Sequence, residues 1–241
     1  MTTTIKLTLR NHEVNRLFTR ELKNGVNFYE KLMGKVARLT KCCQEQRVYA
    51  VLSLHQMNES IHAIIQKFYD DIDKFEGILE KKKHLAGKTI TCQPVHFPEV
   101  RFDSALAASL VELFEVYDRL ISLLKTLRTA GCFNNDDDYF NNLRRYFKAV
   151  NRLLSALLLS AVKELPSMTF EEMINQDESC PHPATQHGAM DYALLVKALT
   201  SNVAPRLEEK RRQPLLSFLN RRLQADSKPA SNQPSEERGS A

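Results

Sequence analysis

Seven residues near the start, Thr4-Ile5-Lys6-Leu7-Thr8-Leu9-Arg10, alternate polar and apolar side chains at a period of two, the pattern of a strand with one face in a core. Ile5, Leu7 and Leu9 share the inner face of such a strand, which leaves Thr4, Lys6, Thr8 and Arg10 on the outer one. Lysine, threonine and arginine carry donors that base edges accept, and a two-stranded ribbon is slim enough to enter the major groove where those edges lie. Lys6, Thr8 and Arg10 are therefore the expected base-reading residues, with Thr4 at the periphery. A lone strand does not make a stable ribbon, so the sequence predicts that two copies of the chain pair their strands about a two-fold axis. The plain alternative is a strand added to the edge of the chain's own bundle, with a solvated basic face.

The residues that follow suit phosphate rather than base contacts. Asn11 is placed to cap a helix by accepting from a backbone N–H, and Val14, Leu17, Phe18 and Leu22 continue at helical spacing. Gly25 is expected to end that helix in the left-handed conformation, and Asn27, with Glu30 three residues on, to cap the next. The turn Asn24-Gly25-Val26-Asn27 then offers backbone N–H groups to a phosphate, with Gly25 and Asn27 as its ligands. Arg16, Arg20, Lys23 and Lys31 are the expected cationic contacts.

Charge is distributed in the same sense. Met1 to Lys41 holds nine lysines and arginines against Glu13, Glu21 and Glu30, a net of +6, whereas the remaining 200 residues sum to −1. A basic opening unit on a nearly neutral body calls for a polyanionic partner.

Other chemistry-bearing clusters carry less. His55, Glu59 and His62 share a helix face, and Glu59-x-x-His62 has the spacing of a di-iron bundle ligand pair, but no second Glu-x-x-His exists. Cys180, His182 and His187 lack a fourth ligand at zinc spacing. Asp136-Asp137-Asp138 suits the positive end of a helix dipole. Lys210-Arg211-Arg212 and Arg221-Arg222 read as an exposed mixed-charge helix or a second phosphate contact. The phosphate-binding, nucleotide-binding, esterase and zinc-protease motifs are absent, so no enzyme, metal, cofactor or small-molecule substrate is expected. Cys42, Cys43, Cys92, Cys132 and Cys180 are odd in number and lack paired spacing, which favours buried thiols. No apolar run of about eighteen residues and no leader pattern occurs, so a cytoplasmic protein without membrane contact is expected.

The elements that must position the opening unit are helical. Ile61, Ile65, Phe68, Ile72, Phe75 and Leu79 form a seam on a helix of roughly residues 44–83. Leu106, Leu110, Leu113, Tyr117, Leu120, Leu124 and Leu127 form another, opened by Asp103 or Ser104 and closed by Gly131. Leu143, Phe147, Val150, Leu154, Leu157 and Ala161 form a third, from about Asp136 to Glu164. Three seams imply three helices packed on one another. Residues 89–102 read as extended, limited to an edge by Pro94 and Pro98. Beyond Pro166 a short helix over 168–175, a polar loop, and one or two helices interrupted by Pro205 and Pro214 are expected. The last stretch, 224–241, has the composition of a disordered tail. The predicted fold is mainly α, a helical bundle with an N-terminal ribbon-helix-helix-like unit. Its predicted divisions are a DNA-binding unit at 1–43, a bundle core at 44–165, a helical extension at 166–223 and the tail.

The order of Thr8-Leu9-Arg10, Arg16-Leu17-Phe18, Gly25-Val26 and the block from Arg101-Phe102 to Leu127, with Tyr117-Asp118-Arg119-Leu120 inside it, resembles the AcaB-type family of conjugative plasmids and integrating conjugative elements. The resemblance spans about Thr4 to Glu164. It implies a transcriptional activator of conjugative transfer operons, similar to ribbon-helix-helix proteins, with its ribbon at Thr4–Arg10 and a helix pair flanking Gly25. Double-stranded DNA and a second copy of the chain are then the expected partners. The competing reading is a helical accessory protein of the conjugation machinery whose basic start binds an acidic protein.

Overall fold

In the computed structural model the alternating residues do form a strand, and its partner lies in the same chain. The structure describes residues 4–82, 96–101, 104–162, 165–179, 191–201 and 209–226. Strand β1 (Thr4–Lys6) pairs antiparallel with β2 (Glu99–Arg101), Thr4 opposite Arg101 and Lys6 opposite Glu99. The same register continues through Leu7 N–H to Pro98 C=O (3.0 Å) and a reciprocal pair between Leu9 and His96 (3.0 and 3.2 Å). The sequence expects this ribbon across two copies; within the chain, one edge of β1 is taken by β2. A period of two shows which face of a strand is buried but not which segment pairs with its edge, and here the extended segment around Pro98 takes that edge. The expected alternation holds: Leu7 and Leu9 are buried, and Thr4, Lys6, Thr8 and Arg10 are exposed.

After the ribbon come α1 (His12–Thr19), α2 (Phe28–Gln44), α3 (Val48–Glu80), α4 (Ala105–Thr129), α5 (Asp136–Val162), α6 (Phe170–Ser179), α7 (Tyr192–Thr200) and α8 (Glu209–Asp226). Helix α4 is buried along most of its surface, with its charged residues mainly on the remaining strip. Helices α1, α3 and α5 all pack on it. Phe68 of α3 meets Tyr117 of α4 at 5.8 Å and Tyr146 of α5 at 5.5 Å, ring centre to ring centre. Phe18 of α1 and Tyr29 of α2 close on Phe114 of α4 at 4.5 and 5.9 Å. Leu7, Leu9, Val14, Leu17 and Phe18 belong to the same buried cluster as the α3, α4 and α5 seams. The core thus runs across residue 43 without a break.

Local chemistry sets several boundaries. The Ser104 hydroxyl accepts from Ala107 N–H (3.2 Å) and starts α4. Gly131, at φ +63°, ends it while Cys132 N–H bonds back to Leu127 C=O (2.9 Å). Helix α1 is shorter than its spacing suggested: Arg20 turns extended, and its carbonyl accepts from Phe28 N–H at 2.9 Å. Gly25, at φ +72°, serves the small loop between these two residues rather than the end of α1. Helix α8 runs through Pro214, which was expected to interrupt it. The expected tail keeps only 224–226 within α8; 227–241, Pro205, and Cys180, His182 and His187 lie outside the described residues. Cys42, Cys43 and Cys132 are free thiols, and burial, then the neighbouring Cys42, pushes Cys43 up to about 12.

Candidate nucleic-acid interface

Where the ribbon ends, one carboxylate ties it to the bundle. Asp118, buried on α4, accepts from Arg10 N–H through both oxygens (3.2 and 3.1 Å) and from Asn11 N–H (3.0 Å). The Asn11 side-chain amide donates to Asp118 Oδ1 (3.0 Å), to the Asp118 carbonyl (2.9 Å) and to Ser122 Oγ (2.8 Å). Its oxygen accepts from Lys125 Nζ (2.8 Å), which also reaches Glu13 (3.0 Å). Asn11 does stand at the start of α1, but its side chain makes no capping bond, because every polar atom it has is used on α4. Beside this network burial pushes the Tyr117 phenol up strongly, and Glu13 and Asp118 push the same way.

On the outer face, cross-strand neighbours complete the row. Glu99 stands opposite Lys6, and the register places Phe97, 58% exposed, opposite Thr8. Sequence reasoning did not single out these two residues, because they become ribbon residues only once β2 is known to be the partner. Asp118 was also missed as an anchor, although an aspartate beside Tyr117 on a helix with so apolar a seam is the signal that could have found it.

The expected phosphate ligands divide. Arg16 is exposed with its guanidinium 6.0 Å from the Phe147 ring of α5. Arg20 donates to Asn151 Oδ1 of α5 and lies 4.7 Å over the Phe28 ring. Lys23 is exposed and Lys31 half-buried. Some donors of the expected cradle at Gly25 and Asn27 are already used inside the turn. Gly25 N–H is bonded to Leu22 C=O (2.9 Å), and Val26 N–H faces Asn24 Oδ1 at 3.4 Å. Asn27 caps α2 as expected by accepting from Glu30 N–H (3.1 Å), while its amide donates to the Phe18 carbonyl. A turn whose donors are satisfied internally has few left for an anion.

Among the described residues no group of three His, Cys, Asp or Glu side chains could hold a metal ion. His55 is buried, while Glu59 and His62 are exposed, with His62 Nε2 3.3 Å from Ser109 Oγ. Asp136, Asp137 and Asp138 occupy the first turn of α5, as expected, and Asp136 pairs with Arg128 at 2.9 Å. No described helix is long and apolar enough to cross a membrane.

No family model matches the chain, and no curated protein matches it. A solved structure, that of AcaB from uropathogenic E. coli, is similar at 12% identity and a TM-score of 0.45, over 91% of this chain and 97% of that one. A likeness of that degree leaves the fold and role of this chain to rest on its own residues.

Proposed function

We propose that this chain is a sequence-specific DNA-binding regulator, an activator of the transfer genes of a mobile element, and that it reads DNA with the outer face of the β1–β2 ribbon. The carrying observation is the row Thr4, Lys6, Thr8 and Arg10, exposed on a ribbon whose opposite face lies in the core and whose end is clamped by Asp118. A reading element must keep its side chains in a fixed register to distinguish bases. Phe97 and Glu99 extend the same face with chemistry suited to a thymine methyl and a cytosine amino group. The setting in gene regulation comes from the sequence resemblance. The homodimer remains part of the proposal, each copy bringing a complete ribbon to one half-site.

The test is a binding titration of promoter fragments of the element against scrambled duplexes. Lys6→Ala and Arg10→Ala should each lose about 1–3 kcal/mol on the cognate fragment and little on the scrambled one, whereas Arg16→Ala and Lys31→Ala should weaken both alike. Equal losses on both duplexes for all four variants would remove the ribbon as the reading element. The accessory-protein reading is favoured by one feature, the exposed Phe97. Phe97→Ala that abolished capture of an acidic protein of the transfer machinery, in a chain that binds no duplex, would establish that reading instead.

A further inference from the structure

Helix α5 carries four cations, Arg144, Arg145, Lys148 and Arg152, and no carboxylate after Asp138. Arg144, Lys148 and Arg152 fall four residues apart and are all exposed, so they form one row along the helix. A four-residue step rises about 6 Å, which gives the row a span of about 12 Å. Alongside it lie Phe147 and Asn151, also four residues apart, and these are the residues on which Arg16 and Arg20 rest. The fold therefore gathers five cations from α1, the loop after it and α5 onto one strip.

Ion pairing separates this strip from α4, whose three cations, Arg119, Lys125 and Arg128, are all paired. Carboxylates pair with Arg47, Lys74, Arg119, Lys125, Arg128 and Arg145 elsewhere in the described residues. Arg16, Arg20, Arg144, Lys148 and Arg152 have no carboxylate within pairing distance among the described residues. From residue 141 to 152 the exposed positions of α5 are Asn141, Arg144, Arg145, Lys148 and Arg152. A face that inserts into lipid, or that receives an amphipathic peptide, interleaves apolar side chains with its cations. Between Arg144 and Arg152 no apolar side chain is exposed, the exposed Phe140 and Leu159 lying beyond the two ends of the row, and amide donors and cations together suit phosphodiester oxygens.

We infer that Arg144, Lys148 and Arg152, with Arg16 and Arg20 beside them, form a phosphate-contacting track that carries the duplex from the ribbon onto the bundle. The inference rests on the reading that the chain binds DNA. A row of this span faces about three or four phosphates of one strand at 3.4 Å of duplex axis each. The track contributes affinity and salt dependence, and it carries no base preference.

The experiment compares the full chain with Arg144→Ala/Lys148→Ala/Arg152→Ala and with each single variant, on cognate and scrambled duplexes over a range of salt. Circular dichroism confirms that the helices are retained. The triple variant should lose about tenfold or more on both duplexes, and its slope of log affinity against log salt should be shallower by about three, each single variant accounting for about one. Lys148→Arg should retain wild-type slope and affinity. A folded triple variant with unchanged slope, in a chain whose wild type binds DNA, overturns the track and leaves the ribbon standing. A wild type that binds no duplex overturns the DNA-binding reading itself, and the track with it. Loss confined to the cognate fragment also overturns the inference, because it would make the row a reading element.

Discussion

Helices α3 and α5 both lie against α4, and both bury a seam, Ile61, Ile65, Phe68 and Ile72 on one and Val150, Leu154 and Leu157 on the other. Their outward faces differ. Helix α3 carries Glu59, Asp70, Asp71, Asp73, Glu76 and Glu80 against Lys67 and Lys74, whereas α5 beyond its first turn carries only cations. Carboxylates of α3 hold cations from within the chain: Asp71 takes Lys74 at 3.3 Å and Arg145 at 3.9 Å, and Glu76 takes Arg119 at 2.7 Å. Asp71 also accepts from the Tyr146 hydroxyl at 2.9 Å, and burial, then that bond, pushes the phenol up to about 12. Burial fixes a seam and leaves the outward face free. The α4 cations are all paired within the chain, whereas Arg16, Arg20, Arg144, Lys148 and Arg152 on the α1–α5 side have no carboxylate within pairing distance among the described residues.

The contrast predicts that charge substitutions separate into those that move stability and those that move binding. The largest effect on stability belongs to Asp118→Ala, which leaves the N–H groups of Arg10 and Asn11 and the Asn11 amide without their carboxylate in a buried setting. Its cost should be about 3–5 kcal/mol in chemical denaturation, with cognate preference lost because the ribbon end is released. A variant as stable as the wild type would mean that Asp118 does not clamp the ribbon. Lys125→Met comes next. It keeps the aliphatic stem but takes the donor from Asn11 and Glu13, for a cost of about 1–2 kcal/mol. Its affinity for DNA, measured well below the melting temperature, should stay within about twofold, since a cation held inside the chain releases no counterion from a duplex.

What could be read in advance follows the range of the interactions. The caps at Asn27 and Ser104 and the glycine at 131 involve neighbours within four residues, and the three seams repeat at a helical period. These were legible because their causes are local. The partner of β1 lies more than ninety residues on, and Asn11 spends its side chain on residues more than a hundred positions away. A cap signal cannot foresee a stronger offer from a distant helix, so the start of α1 was legible and the use of Asn11 was not. Gly25 shows the same limit, since its left-handed backbone was expected but the loop that uses it was not. The α5 row was present in the sequence as cations four apart without acids. Only the buried side of that helix was used there, because the row gains meaning once Arg16 and Arg20 are seen lying beside it.

On the exposed side the comparison can be sharpened with a smaller change. Lys148→Ala removes a cation with no described carboxylate partner, so its stability should move by no more than about 0.5 kcal/mol while DNA affinity falls. Arg119→Ala is the matched control on the opposite side. Its guanidinium meets Glu76 at 2.7 Å, with the two side chains 55% and 44% exposed, and such surface pairs contribute about 0–1 kcal/mol because water and salt screen them. The expected loss is at the low end of that range, about 0.5 kcal/mol or less, shrinking further in high salt. DNA affinity and its salt slope should be unchanged, since Glu76 already neutralises this cation. If Arg119→Ala lowered the salt slope as much as Lys148→Ala does, the duplex would be contacting the α3–α4 side too, and pairing within the chain would no longer distinguish the two faces.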